Sequence, residues 1–135
     1  MKQIILALVL AGFCSTAGAF SGSDLLSQCK HFIQILEGDK TDLQQTLQAG
    51  LCGGYVLGVQ EGFVASSELA YIASEDKGIA PVTGKYWEVP AGVVAETIVK
   101  MVVKYLEINP DMQAKPAVLS VINALIQTYP AGQGN

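Results

Sequence analysis

Few side chains in this 135-residue chain are of the kinds that do chemistry, and the pair that stands out is Cys29 with Cys52. Two sulfurs on neighbouring amphipathic segments can be oxidised to a covalent cross-link if the chain matures in an oxidising compartment. Closing a loop of that size stabilises a fold by about 3 kcal/mol in the chain-entropy picture. His31 is the only histidine, on the polar side of its segment. A triad built on it would need a nucleophile that nothing marks, since there is no Gly-x-Ser-x-Gly run and Cys29 is expected to be oxidised. One histidine and a paired cysteine couple do not make the usual zinc ligand set. Most carboxylates stand at segment starts or in loops, where capping and solubility explain them. The glycine run between positions 50 and 62 lies inside a helical pattern and lacks the lysine of a phosphate loop. These residues point to a binding protein rather than an enzyme, with no cofactor and no metal.

Residues 1–19 read as an export signal. Lys2 gives a short positive start, Ile4 to Phe13 is an apolar run too short to span a bilayer, and Ala17-Gly18-Ala19 offers small residues for cleavage before Phe20. Cys14 follows Leu10-Ala11-Gly12, but Phe13 occupies the place where lipidation needs a small residue. The mature chain is then a freely soluble single domain, residues 20–135, in the periplasm or beyond, with no further membrane crossing. The formal net charge is −4 and there is no arginine, which disfavours phosphate and nucleic-acid binding and is compatible with a basic protein partner.

The elements that must position these residues are helical. Ser23 or Asp24 can cap a first helix with Leu25, Leu26, Cys29, Phe32, Ile33 and Leu36 on one face, ended by Glu37-Gly38-Asp39-Lys40. Thr41 or Asp42 caps a second, with Leu43, Leu47, Leu51, Cys52, Tyr55, Val59 and Phe63 on its expected buried stripe. Pro90 fits the first turn of a third helix, carrying Val93, Val94, Thr97, Ile98, Met101, Val102, Tyr105 and Leu106 until Asn109-Pro110. Pro116 opens a fourth, which Pro130-Ala131-Gly132 ends. The fold class is all-α: a small disulfide-stapled bundle of about four antiparallel helices with one long loop between helices 2 and 3.

Two stretches ask for a purpose. Gly50, Gly54, Gly58 and Gly62 recur every fourth residue, with Gly53 beside them. Each costs a helix about 1 kcal/mol relative to alanine. Either another helix of the same chain crosses closely there, or the groove is a contact face for a second copy in a homodimer. From Ala65 to Val89 the helical period fades under Ser66, Ser67, Ser74, Gly78, Pro81 and Gly84. A long acidic and aromatic excursion of this kind suits a contact surface, with Glu68, Tyr71, Glu75, Asp76, Tyr86 and Trp87 as candidates for touching a protein partner. The alternative for Trp87 is that its ring folds back onto the core.

Leu51-Cys52-Gly53-Gly54-Tyr55-Val56-Leu57-Gly58-Val59 resembles the Cys-x-Gly-Tyr-x-x-Gly-Val segment of the Rap/Tai family of exported immunity proteins. Val89-Pro90-Ala91-Gly92-Val93, Val103 to Pro110, Pro116-Ala117, Ala124-Leu125 and Tyr129-Pro130 continue that family's order. The resemblance implies a small helical domain, often dimeric, that neutralises peptidoglycan amidases delivered by type VI secretion by plugging the active site with a protruding loop. The family usually carries two further cysteines, where this chain has Trp87-Glu88 and Ala131. Without that second staple, a looser end of the last helix is expected. An acid-stress chaperone of the HdeA type, also small, exported, helical and singly cross-linked, is the alternative, as is a stand-alone helical interaction domain.

Overall fold

The computed structural model describes residues 19–76 and 86–131. The expected signal, residues 1–19, lies outside them apart from Ala19. Four α-helices are described, α1 Gly22–Leu36, α2 Leu43–Asp76, α3 Ala95–Ile108 and α4 Ala117–Thr128, with a 3-10 turn Pro110–Ala114 between α3 and α4. There is no strand among the described residues, only two isolated bridges. The all-α, disulfide-stapled fold class holds.

Local chemistry sets the helix ends. Ser21, rather than the expected Ser23 or Asp24, caps α1 by accepting from the Asp24 amide at 3.2 Å, and Asp24 accepts in return from the Ser21 amide at 3.0 Å. Those Ser21 hydrogen bonds hold the Asp24 carboxyl below its ordinary range, because they favour the ionised form. At the other end Asp39 N–H donates to Gln34 and Gly38 N–H to Ile35, closing a Schellman turn whose Gly38 sits at φ 84°. Asp42 caps α2 reciprocally with Gln45, at 2.8 and 3.0 Å.

The third helix starts later than its proline suggests. Pro90 opens a turn rather than a helix, the Val93 amide donating to its carbonyl at 3.2 Å with Gly92 at φ 88°, and α3 begins at Ala95. Asn109, Pro110 and Pro116 mark the α3 and α4 boundaries as the sequence implies.

The core is built from Leu25, Cys29, Cys52, Val56, Val99, Val102, Leu106, Val121 and Leu125, all fully buried, so each helix contributes one stripe. The Cys29–Cys52 disulfide joins α1 to α2 with Cα atoms 5.1 Å apart. That bond fixes which face of α2 turns inward. Ala49, Cys52 and Val56 are buried, and Leu43, Leu47 and Leu51 are left 76, 61 and 60% exposed. The expected buried stripe thus holds from Cys52 onward and fails for those three leucines, which lie about 100–180° round the helix from Cys52 or its neighbours.

The start of α1 is tied to the start of α4. The Ala117 amide donates to Phe20 O at 2.9 Å and the Gly22 amide to Lys115 O at 2.8 Å. At Gly22 the backbones come so close that an added Cβ would lie 2.5 Å from Met112 O and 3.0 Å from Gln113 Cα. Since the obstacle is main chain, Gly22→Ala is expected to destabilise the protein by about 1–3 kcal/mol, read as a lower urea midpoint at unchanged slope.

Candidate functional site

The expected loop from Ala65 is helix as far as Asp76, so α2 spans 34 residues. Its serines do not break it because each satisfies its hydroxyl locally: Ser66 donates to Phe63 O and Ser67 to Val64 O, both at 2.8 Å. Residues 77–85, the middle of the expected excursion, lie outside the described part. The excursion ends in a short strap, residues 86–90, that returns against the far half of α2.

This strap and α2 make the candidate contact surface. Trp87, only 6% exposed, lies with its ring 4.3 Å from that of Phe63, and Tyr86 meets the same phenylalanine edge-on at 5.6 Å. Tyr86 itself stays 55% exposed. Between the strap and α2 runs an open groove of about 240 Å³, floored by Phe63 and Trp87 and edged by Gln60, Ser67, Glu68 and Tyr86. Gln60 Oε1 is buried there without a hydrogen-bond partner. A groove with an aromatic floor, an acidic edge and one unanswered acceptor suits a polypeptide segment carrying N–H donors.

Of the residues singled out in the sequence, Glu68 and Tyr86 are brought together on this groove. Trp87 packs into the core, as the alternative reading expected, and its ring also lines the groove beside Phe63. Tyr71, Glu75 and Asp76 lie on the last turns of α2, with side chains outside the described part. Gln60, Phe63, Val64 and Ser67 were missed as lining residues. Their spacing of three and four along one helix was the available signal.

Among the described residues, the four-residue glycine repeat has no intramolecular partner. A Cβ at Gly50, Gly54, Gly58 or Gly62 would meet nothing within 4 Å, so the close helix crossing expected there is absent. The close approach is made instead by Gly53, whose Cβ would lie 3.3 Å from the ring of Phe32 on α1. Tyr55, beside this face, packs edge-on against Phe20 at 4.9 Å, and burial pushes its phenol up from the ordinary value, keeping it neutral.

The strap is also fastened at its back. Trp87 bridges Pro130, with the Glu88 amide donating to Tyr129 O at 2.9 Å and the Ala131 amide to Tyr86 O at 3.4 Å. Main-chain pairing thus joins the two places that the missing cysteines would occupy.

Other chemistry is sparse. His31 is half-buried and pairs through Nδ1 with Gln34 Oε1 at 2.9 Å. Among the described residues no group of three or more His, Cys, Asp or Glu could hold a metal, and no helix is long and apolar enough to cross a membrane.

Compared with protein families, residues 21–131 match the Rap1a immunity proteins, a span that takes in all four helices, the disulfide and the strap. The chain belongs to the Rap1a immunity protein family. Comparison with curated proteins and with solved structures gives no match. Membership in the Rap1a family implies that the protein acts by binding a protein effector, and members are often exported. A groove that presents an exposed tyrosine beside Phe63 and the buried Trp87 accords with such a role.

Proposed function

We propose that this protein is exported, cleaved before Phe20, and neutralises a peptidoglycan amidase delivered by type VI secretion, without catalytic activity of its own. The groove between α2 and the strap holds the effector segment, with Tyr71, Glu75 and Asp76 on the last turns of α2 as further contacts. The observation that supports this reading most is the exposed Tyr86 held edge-on against Phe63, which is half-buried and packs on the buried Trp87. An aromatic anchor on a preformed base loses little conformational freedom on binding, which is how tight inhibitors keep affinity. Glu68 adds an acceptor for a basic or N–H-bearing partner, in keeping with the negative net charge.

The test is binding of the mature protein to purified candidate amidases by calorimetry, with cell-wall hydrolysis as a second readout. Tyr86→Ala is expected to weaken the complex about 30-fold, equivalent to about 2 kcal/mol, and Glu68→Lys by about tenfold with a slower association. Unaltered affinity in both variants would move the contact off the groove. Failure of every co-encoded or invading amidase to bind would remove the amidase as the effector.

A further inference from the structure

The strap has two edges, and the fold uses one of them. Trp87 faces Pro130 in an antiparallel bridge whose hydrogen bonds are made by the residues on either side, Glu88 with Tyr129 and Ala131 with Tyr86. In such a couple the N–H and C=O of the facing residue point outward, so those of Trp87 turn away from residues 129–131. Val89, kept extended by the proline after it, presents its own pair on that same side two residues on. Among the described residues, none of these four groups has a hydrogen-bond partner.

The open edge runs along the groove of about 240 Å³. Tyr86, Trp87, Glu88 and Val89 all line it, whereas a groove across one face of an extended chain would take every second residue. Its other wall is α2 between Gln60 and Glu68. A second hollow, bounded by Thr128, Tyr129 and Pro130, lies on the paired edge.

We propose that the effector presents an extended segment that adds to this edge as a strand, with a lysine or arginine set against Glu68. Strand addition rests on the reading of this groove as the effector contact and adds how that contact is made.

The chemistry of the groove fits a polypeptide main chain. The donor and acceptor of Trp87 and those of Val89 are about 6.5 Å apart, the repeat of a strand edge. An extended segment also carries N–H groups on its far edge, and there Gln60 Oε1 is buried in the α2 wall without a partner. Glu68 is exposed at the rim, and among the described residues no lysine lines the groove, so a basic side chain is favoured. Main-chain pairing supplies affinity with little regard to sequence, and the Phe63–Trp87 floor selects an apolar neighbour.

The probe is the peptide acetyl-Val-Lys-Val-Lys-Val-amide, titrated into the mature, oxidised, isotope-labelled protein and followed by NMR. Binding is expected with a dissociation constant on the order of 0.5 mM. At about 5 mM peptide, exchange of the Trp87 and Val89 amides with solvent should slow about tenfold. Isotope-filtered NOEs should join peptide main-chain protons to those two amides. Gln60→Leu, with unchanged helical circular dichroism, should weaken the peptide about fivefold. The same peptide with glutamates for lysines should bind at least about tenfold more weakly, and Glu68→Lys should reverse that order.

No saturable shift by about 5 mM peptide, or NOEs from peptide side chains alone, would overturn strand addition while leaving the groove as the effector contact. Equal binding of the acidic and basic peptides would overturn the role given to Glu68. The groove itself fails by a different result, unaltered amidase affinity in Tyr86→Ala and Glu68→Lys.

Discussion

Replacing Cys29 and Cys52 together by alanine is expected to lower the unfolding free energy by about 3 kcal/mol, with a range of about 2–5. Part of the loss comes from the denatured chain, which regains the freedom of a loop spanning 23 positions. Part comes from the folded state, because both sulfurs are fully buried and their removal leaves space between α1 and α2. For a domain of this size the total stability is about 5–15 kcal/mol, so the change is a large share of it. Urea unfolding of the double variant against the oxidised protein measures the effect. Thiol titration of the native protein should find no free sulfhydryl at Cys29 or Cys52, and reductant should act only as fast as the fold opens. An unchanged urea midpoint in the double variant would mean that helix packing alone holds α1 and α2 together.

The second large effect is expected at Trp87. Its indole is buried against Phe63, and its neighbours anchor the strap to the end of α4. Trp87→Ala removes that burial and leaves a cavity with little means of collapse, at a cost of about 3–5 kcal/mol. Trp87→Phe keeps part of the contact and should cost less than half as much. Trp87 is the only tryptophan, so fluorescence of the wild-type protein reports the strap directly. Its emission should be that of a buried indole, and its unfolding midpoint should coincide with that from circular dichroism if the strap belongs to the same cooperative unit. Because Trp87 packs on Phe63 and lines the groove, the alanine variant should also bind effector more weakly even below its unfolding midpoint.

Much of the fold was legible because its signals are local. Apolar spacing placed α1 and the last two helices, Gly38 and Asp42 marked ends through their own backbone and side-chain chemistry, and the two cysteines paired as an oxidising compartment implies. What failed there were local signals that admit two conformations. Ser66 and Ser67 look like helix breakers until their hydroxyls are seen to bond back one turn, and so α2 ran on past the expected loop. Pro90 fits a first helical turn and a tight turn equally well, and the neighbouring Gly92 took it into the second.

The inward face of α2 was harder, because apolar residues are spread around the whole helix. Cys52 could have settled it, since a cross-linked sulfur must face its partner, and leucines a quarter-turn or more away must then face out. The candidate site was half legible for a similar reason. Exposed Glu68 and Tyr86 carried an obvious composition signal, whereas the groove between them exists only because Phe63 and Trp87 meet across a long interval of sequence.

The join between Trp87 and Pro130 has a consequence for how the protein answers its surroundings. The α1–α2 half is locked by a bond that opens only when electrons are supplied. The recognition strap is latched by amide groups and one indole, none of which exchanges electrons with thiols. A shift in redox poise therefore acts directly on the α1–α2 join and reaches the strap only through the stability of α2, which forms the other wall of the groove.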